Sequence, residues 1–444
     1  MRWEQQIQYA SISDVGFRRR NNEDAAAIRI CPDRETWEQH GHLFLVADGM
    51  GGHAVGELAS KVAVDSVPHS FFKASDPDIA RALKAAIESA NAAIYERSTH
   101  NTDFHRMGTT CVALALSPVG AVIGHVGDSR VYRIRGGVIE QLTYDHSLQW
   151  ELARRPGANI TEIAGREPRH VITRSLGPEP TVKVDIEGPH KTEPRDTYLI
   201  CSDGLSGHLT DAEIGMIAST LLPSDACQLL VNLSNLRGGN DNITVVIARL
   251  GDIPGEVASA AVSNDGERET RPKWWWWLGM WSIAVIFVIG VWLALFSRYL
   301  AGIAFAALAA FAAVGMFALW LELRSKEREL SLELARSNAS GRGTAYRTAS
   351  SQFLPESTRE LSYVVHDLEK TAKQESWKID WAHYDSVCGE ATGLMEAGHH
   401  QEAFAQFATT FEVLMSGLRL YRKQLNHERK WGKDTPLPSN RLKS

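Results

Sequence analysis

Apolar and polar positions divide the chain into three stretches with different rhythms. Over residues 1–252, short apolar runs alternate with longer amphipathic segments. The runs at 7–13, 25–30, 43–47, 109–116, 121–126, 131–135, 182–186, 197–201 and 243–249 have the length and residue types of strands. Helical spacing follows Gly56 to about His69, spans 78–100, and covers 211–220 and 224–235. Asp211 and Ser224 have the chemistry of N-caps for the last two. Several strands follow one another through short turns, at Ser117-Pro118, Gly127-Asp128 and Gly136-Gly137. Such turns predict antiparallel pairing, and hence an α+β domain rather than a doubly wound parallel sheet.

The second stretch begins after a polar, Pro- and Gly-bearing linker at 253–273. Residues 274–296 carry no formal charge, and after Ser297-Arg298 a second apolar run covers 299–321. Each run is long enough to cross a hydrocarbon core of about 30 Å, and the break between them predicts a tight transmembrane hairpin. Trp274 to Trp277 suit the interface, and basic residues flank both ends (Arg271 and Lys273; Arg324, Lys326 and Arg328). That pattern predicts that both ends face the cytoplasm. Small residues such as Gly302, Ala306 and Ala310 would allow close helix contact and a homodimer through the hairpin. The third stretch, 322–444, reads as a helical cytoplasmic tail that loosens at 337–348 and regains helical spacing over 361–424. Within it, 396–404 resembles the turn of a helical-hairpin repeat, in one copy only. His399-His400 is read there as a solvated turn.

Composition changes this picture little. The 444 residues are 44% hydrophobic and 23% charged, with a formal charge of -6, which gives no reason to expect a nucleic-acid partner. The five cysteines are scattered without a CxxC pair, as in a reducing compartment. The opening residues MRWEQQIQYA lack the apolar core of a signal peptide.

The chemistry concentrates in the first stretch. The apolar run 43–47 ends in Asp48-Gly49, followed by further glycines and His53. A strand that delivers a carboxylate to its tip can hold a cation, and Gly49 has no Cβ to keep its carbonyl away. Asp-Gly is also a common hairpin pair. Four more acidic motifs flank strands: Asn22-Glu23-Asp24, Gly127-Asp128-Ser129-Arg130, Ser202-Asp203-Gly204 and Asn240-Asp241-Asn242. Carboxylates converging on one edge repel unless cations lie between them. All-oxygen ligation suits Mg²⁺ or Mn²⁺, and no Cys/His set is spaced for zinc.

These residues match a known pattern. Residues 13–24 (SDVGFRRRNNED) resemble the opening motif of bacterial protein phosphatase 2C domains, the metal-dependent Ser/Thr phosphatases. Val46-Ala47-Asp48-Gly49-Met50-Gly51-Gly52-His53, Met107-Gly108-Thr109-Thr110, Gly127-Asp128-Ser129-Arg130, Leu142-Thr143-Tyr144-Asp145-His146-Ser147, Thr173-Arg174-Ser175-Leu176-Gly177, Ser202-Asp203-Gly204-Leu205 and Asp241-Asn242-Ile243-Thr244 resemble the later motifs, in the family's order. The resemblance implies a four-layer α-β-β-α sandwich over 1–252, with two, or three, Mn²⁺ or Mg²⁺ ions at one edge. By motif, Asp48 would bridge two ions and Gly49 would lend its carbonyl. Asp203 and Asp241 would ligate the first ion, and Asp24 would serve the second, with Glu23 nearby. Asp128 with Asp203 would hold a third. Arg19 would clamp the phosphate, and 150–169 would be a variable flap. A bridging hydroxide would attack phosphoserine or phosphothreonine in proteins. His53 is the candidate acid for the leaving alkoxide, because histidine titrates near neutral pH; His146 reads as structural. The whole would be a signalling phosphatase in a bacterial inner membrane, opposing a Ser/Thr kinase. A catalytically inactive phosphoprotein-binding scaffold of the same fold is the alternative; it predicts a damaged aspartate set, and the set is complete.

Overall fold

Alternate residues of the central strands face two different cores, and this periodicity builds the molecule. The computed structural model describes residues 7–52, 54–100, 107–153, 171–251 and 345–431. Strand β3 (His42–Met50) sends Phe44 and Val46 into one core and Leu43, Leu45 and Ala47 into another. Strand β5 (Cys111–Ser117) divides in the same way, with Val112, Leu114 and Leu116 against Cys111, Ala113 and Ala115. A strand covered on both faces is apolar at every position, which is why these runs lack polar alternation.

Two antiparallel sheets result. One has the order β1 (Ile7–Asp14), β11 (Ile243–Leu250), β10 (Thr197–Cys201), β7 (Arg130–Arg135), β8 (Val138–Gln141) and β12 (Arg347–Ser350). The other has the order β2 (Asp24–Arg29), β3, β5, β6 (Gly120–Val126) and β9 (Asp185–His190), with the short β4 (Gly108–Thr109) pairing β3. Phe44, Leu114, Ile123, Tyr198, Ile200 and Val246 fill the space between the sheets. Helices α2 (Ala54–Lys73) and α3 (Ile79–His100) cover the second sheet. The first sheet is covered by α6 (Asp211–Thr220) and α7 (Pro223–Leu236). Among the described residues three shorter helices also belong to the domain: α1 (Arg34–Gln39), α4 (Leu148–Ala153) and α5 (Asp203–Ser206). This is the four-layer α-β-β-α arrangement expected from the resemblance.

Local chemistry shifts several predicted boundaries. Helix α6 is capped by Thr210, not Asp211: the Thr210 side chain accepts from the Glu213 amide while Glu213 bonds back to the Thr210 amide. Helix α7 starts at Pro223, one residue before Ser224, because its missing N–H costs nothing in the first turn. β9 occupies 185–190 rather than 182–186. β8 and β12, of four residues each and half polar, carry no clear strand rhythm.

The larger correction concerns the tail. The described residues from 345 onward form one compact unit with those before 252. Helices α8 (Pro355–Gln374), α9 (Trp381–Glu396) and α10 (His400–Trp431) bury Leu361, Val365, Phe404, Phe411 and Leu414 in the same core as Leu229, Leu230 and Ile247 of the sandwich. The repeat-like turn is the α9–α10 connection, with Gly398 at φ 85°. β12 extends the first sheet beyond β8, with Arg347 opposite Gln141. The apolar stretches 274–296 and 299–321, and His53, lie outside the described residues. Among the described residues no helix is long and apolar enough to cross a membrane.

Candidate metal centre

Strand register brings the first two carboxylates together. β2 and β3 run antiparallel with Asp24 directly opposite Asp48, so both side chains leave the same face, with Cβ atoms about 5 Å apart. By the alternation of β3, Asp48 shares the face of Phe44 and Val46, which looks toward the other sheet. At the same end of that sheet, β10 finishes at Cys201, two residues before Asp203. β11 begins at Ile243, two residues after Asp241. Asp128 lies in the turn between β6 and β7, whose first residue pairs Cys201. Five carboxylates from five separate segments thus gather at one end of the sandwich.

β3 runs through Asp48-Gly49 to Met50 rather than turning there. Gly49 is bare for a reason of packing. A Cβ there would lie 2.1 Å from the Gly56 carbonyl oxygen and 2.6 Å from that of Glu23. The Asp48 backbone is fixed by threonines: its amide donates to Thr110 Oγ1 at 2.9 Å, and its carbonyl accepts from Thr109 Oγ1 at 2.9 Å. Thr110 is in turn within 2.8 Å of Ser129, beside Asp128. Ser202 donates to Asp24 Oδ2 at 2.8 Å and accepts from the Thr244 amide at 3.0 Å, tying Asp24 to the β10–β11 side. Asn242 accepts from the Glu23 amide and donates to the carbonyls of Val15 and Asn21. Thr109, Thr110, Ser202, Asn242 and Thr244 all stand inside the recognised motifs, but nothing in a linear string says which backbone each one fastens.

Arg19 reaches the cluster from a loop. Gly16, at φ 75°, opens that loop, and a Cβ on it would lie 2.1 Å from the Asp241 carbonyl oxygen. The amides of Phe17 and Arg18 both donate to the Gly239 carbonyl at 2.9 Å. Arg19 then donates through NH2 to Asp241 Oδ2 at 2.8 Å and lines a cleft of about 910 Å³ together with Asp128, Asp203 and Asp241. Glu23 is buried, its carboxylate against Gly56 at the start of α2.

The electrostatics are those of a cation site. Burial, reinforced by the charges of Asp203 and Asp241, pushes the Asp24 carboxyl up to about 7. Asp128 is likewise pushed to about 7, by burial and then by Asp203 and Asp145. Asp48 is driven well above the carboxylate range by burial and by Asp24, Asp203, Asp128 and Asp241. Burial and Asp203 raise Asp241, against the pull of Arg19. Asp24 Oδ1 and Asp128 Oδ1 are buried with no hydrogen-bond partner. Oxygen donors that repel one another, two of them unsatisfied, fit hard divalent ions such as Mg²⁺ or Mn²⁺.

A second group offers a contrast. His125, His146 and Asp185 place ligand atoms within 4.8 Å of one another. Two members of this triad are already partnered, while neither ring nitrogen of His125 has a hydrogen-bond partner among the described residues. The Gly127 amide donates to His146 Nδ1 at 3.0 Å, and Arg174 stands 3.0 Å from both His146 Nε2 and Asp185 Oδ1. The Arg174 guanidinium stands against two of the three groups, and His146 fastens the Gly127-Asp128 turn.

The wall of the cleft carries one more network. Arg130 grips Asp145 through Nε and NH2 (2.7 Å for the shorter contact) and donates to Tyr132, whose hydroxyl donates to Asp211 at 2.8 Å. Trp150, Gln149 and Ser147 also line the cleft, together with Arg347 from β12. The flap residues after 153 lie outside the described residues up to 170.

Comparison with known proteins places the chain among relatives of one kind. The family described as protein phosphatase 2C matches residues 20–233. A relative from Listeria innocua, serine/threonine phosphatase stp, is 34% identical over 241 residues, 53% of this chain and 92% of its own. Serine/threonine protein phosphatase PstP of Mycobacterium tuberculosis is 32% identical over 274 residues, 60% of this chain and 50% of its own. A solved structure of the catalytic domain of PstP in complex with 2 manganese ions is 32% identical, covering 55% of this chain and 99% of that one, with a TM-score of 0.47.

Proposed function

The chain belongs to the protein phosphatase 2C family, and from that premise we propose that its acidic cleft hydrolyses phosphoserine and phosphothreonine in proteins. The observation that carries this reading is the gathering of Asp24, Asp48, Asp128, Asp203 and Asp241 at one end of the sandwich, beside the guanidinium of Arg19.

Asp48, Asp24, Asp203 and Asp241 would hold two Mn²⁺ or Mg²⁺ ions, with the Gly49 carbonyl as a neutral ligand and Asp128 with Asp203 available to a third. When bound, such ions lower the pKa of water and offset the charge of a phosphate ester. The protein's own groups do the rest. Ser202 and Thr110 keep the Asp24 side chain and the Asp48 backbone from turning away. Arg19 presents a charged fork to the phosphoryl oxygens, where it stabilises negative charge as the ester bond breaks. Asp241 holds that fork in the cleft. His53 remains our candidate for protonating the leaving alkoxide, on its sequence position alone. Anchoring in a membrane by 274–321, opposition to a Ser/Thr kinase and pairing through the hairpin are likewise read from the sequence.

Phosphate release from a phosphothreonine peptide by the full chain tests the reading. Activity should require Mn²⁺ or Mg²⁺ and should fall at least about 100-fold in Asp203→Asn. Hydrolysis that survives metal chelation, or an Asp203→Asn enzyme as active as wild type, would refute it. Partition of the intact chain into detergent-extracted membranes checks the anchor.

A further inference from the structure

We propose that Arg347 binds a second anionic side chain on the phosphoprotein, so that the segment after 344 supplies part of the substrate cleft. The inference rests on the phosphatase reading and adds a specificity residue to it. Arg347 opens β12, and the sheet fixes where it stands. The amide of Tyr346 donates to the Gln141 carbonyl at 2.8 Å, Arg347 pairs Gln141, and the amide of Ser351 donates to the Gly137 carbonyl at 2.9 Å. The strand is held at both ends, so Arg347 is placed by backbone bonds rather than by a loop.

The guanidinium lies over the Trp150 ring at 4.3 Å. Trp150 is braced edge-on by Tyr144 at 4.9 Å, and the Tyr144 hydroxyl donates to the Trp150 carbonyl at 2.6 Å. Tyr346 packs edge-on against Tyr144 at 5.4 Å. An arginine held over an indole loses little freedom on binding and keeps N–H donors for a ligand.

Charge in the cleft singles this arginine out. Among the described residues, three arginines line the cleft that holds Asp128, Asp203 and Asp241. Arg19 is paired with Asp241, and Arg130 is sunk against Asp145. Arg347 is exposed and makes no ion pair within 4.0 Å among the described residues. Its nearest carboxylate influence is Asp145, whose oxygens are already taken by Arg130 and Gln141. A cation held open at the wall of an ester-cleaving cleft suits a glutamate, aspartate or second phosphate flanking the scissile phosphothreonine.

The test uses the full-length chain with Mn²⁺ and phosphothreonine peptides in which one flanking position at a time is glutamate, glutamine or lysine. The readout is the ratio of kcat/KM for the glutamate peptide to that for its glutamine twin. Wild type should favour glutamate about fivefold at low salt at the preferred position, mainly through KM. Arg347→Gln should bring the ratio near one, Arg347→Lys should keep part of it, and Arg347→Glu should favour the lysine peptide. A reversal cannot come from poor folding. A wild-type ratio of one at every position, or variants that slow all peptides equally, would overturn the proposal. Failure of wild type to hydrolyse any phosphopeptide would instead sink the phosphatase reading beneath it.

Discussion

Asp24 and Asp48 face each other across two strands in a place that resists the ionisation of both. The consequence for stability has a definite sign. In the metal-free protein the Asp24 and Asp128 carboxyls keep their protons up to about 7, whereas in the unfolded chain they release them near 3.8. Between those values the folded form binds more protons, so its stability falls as pH rises. The metal-free unfolding midpoint should therefore drop from about pH 4 to about pH 7, and excess Mn²⁺ should restore it at the upper end; thermal denaturation with and without chelator measures both. By the same reasoning Asp128→Asn should raise the metal-free midpoint while weakening the gain from Mn²⁺. Arg130 is the opposite case, a charge that must stay paired. Arg130→Ala strands Asp145 in the wall of the cleft and should lower unfolding free energy by about 3 kcal/mol in urea titrations. At this scale the sequence was informative about residue types and silent about partners. Asp48 and Asp203 announce themselves at the ends of apolar runs. That Asp24 sits opposite Asp48, or that Ser202 bonds Asp24, depends on register, which no single segment encodes.

Elements place the groups that matter, and one of them comes from the far end of the chain. Arg422 of α10 lies over the Phe17 ring at 4.2 Å and donates to the Phe17 carbonyl at 2.8 Å, two residues before Arg19. Removing that brace should loosen the loop that carries Arg19 without touching the aspartates. Arg422→Ala should raise KM for a phosphopeptide about fivefold, leaving Mn²⁺ affinity as in wild type; steady-state kinetics and calorimetry separate the two. The strands and helices of 1–252 were largely legible, because buried strands are apolar throughout and caps follow side-chain chemistry. The extension of β3 through Asp48-Gly49 was not, since glycine in a string reads as a turn whether it turns or merely clears space. β8 and β12 were hidden by their length and polarity.

At the scale of the whole molecule, the tail is a cover rather than an appendage. Leu361, Val365 and Leu368 recur at helical spacing and mark an apolar face, but such a face does not name its partner. The structure supplies one, the α7 side of the catalytic sandwich. There Asn232 donates to Glu412 at 2.5 Å and accepts from Arg419 at 2.8 Å. Phe411 is fully buried in that shared core, so Phe411→Ala should cost about 3 to 5 kcal/mol in the full chain. A fragment ending at 252 should melt below the full chain and bind more hydrophobic dye, because it leaves this surface open.

The proposed function depends on whether the gathered aspartates hold metal. Anomalous scattering at the manganese edge, from crystals of the full chain grown with Mn²⁺, measures that directly. Our account predicts manganese peaks between Asp24, Asp48, Asp203 and Asp241, beside Arg19. Peaks confined to the His125–His146–Asp185 triad, or none at the aspartate end of the sandwich, would contradict it.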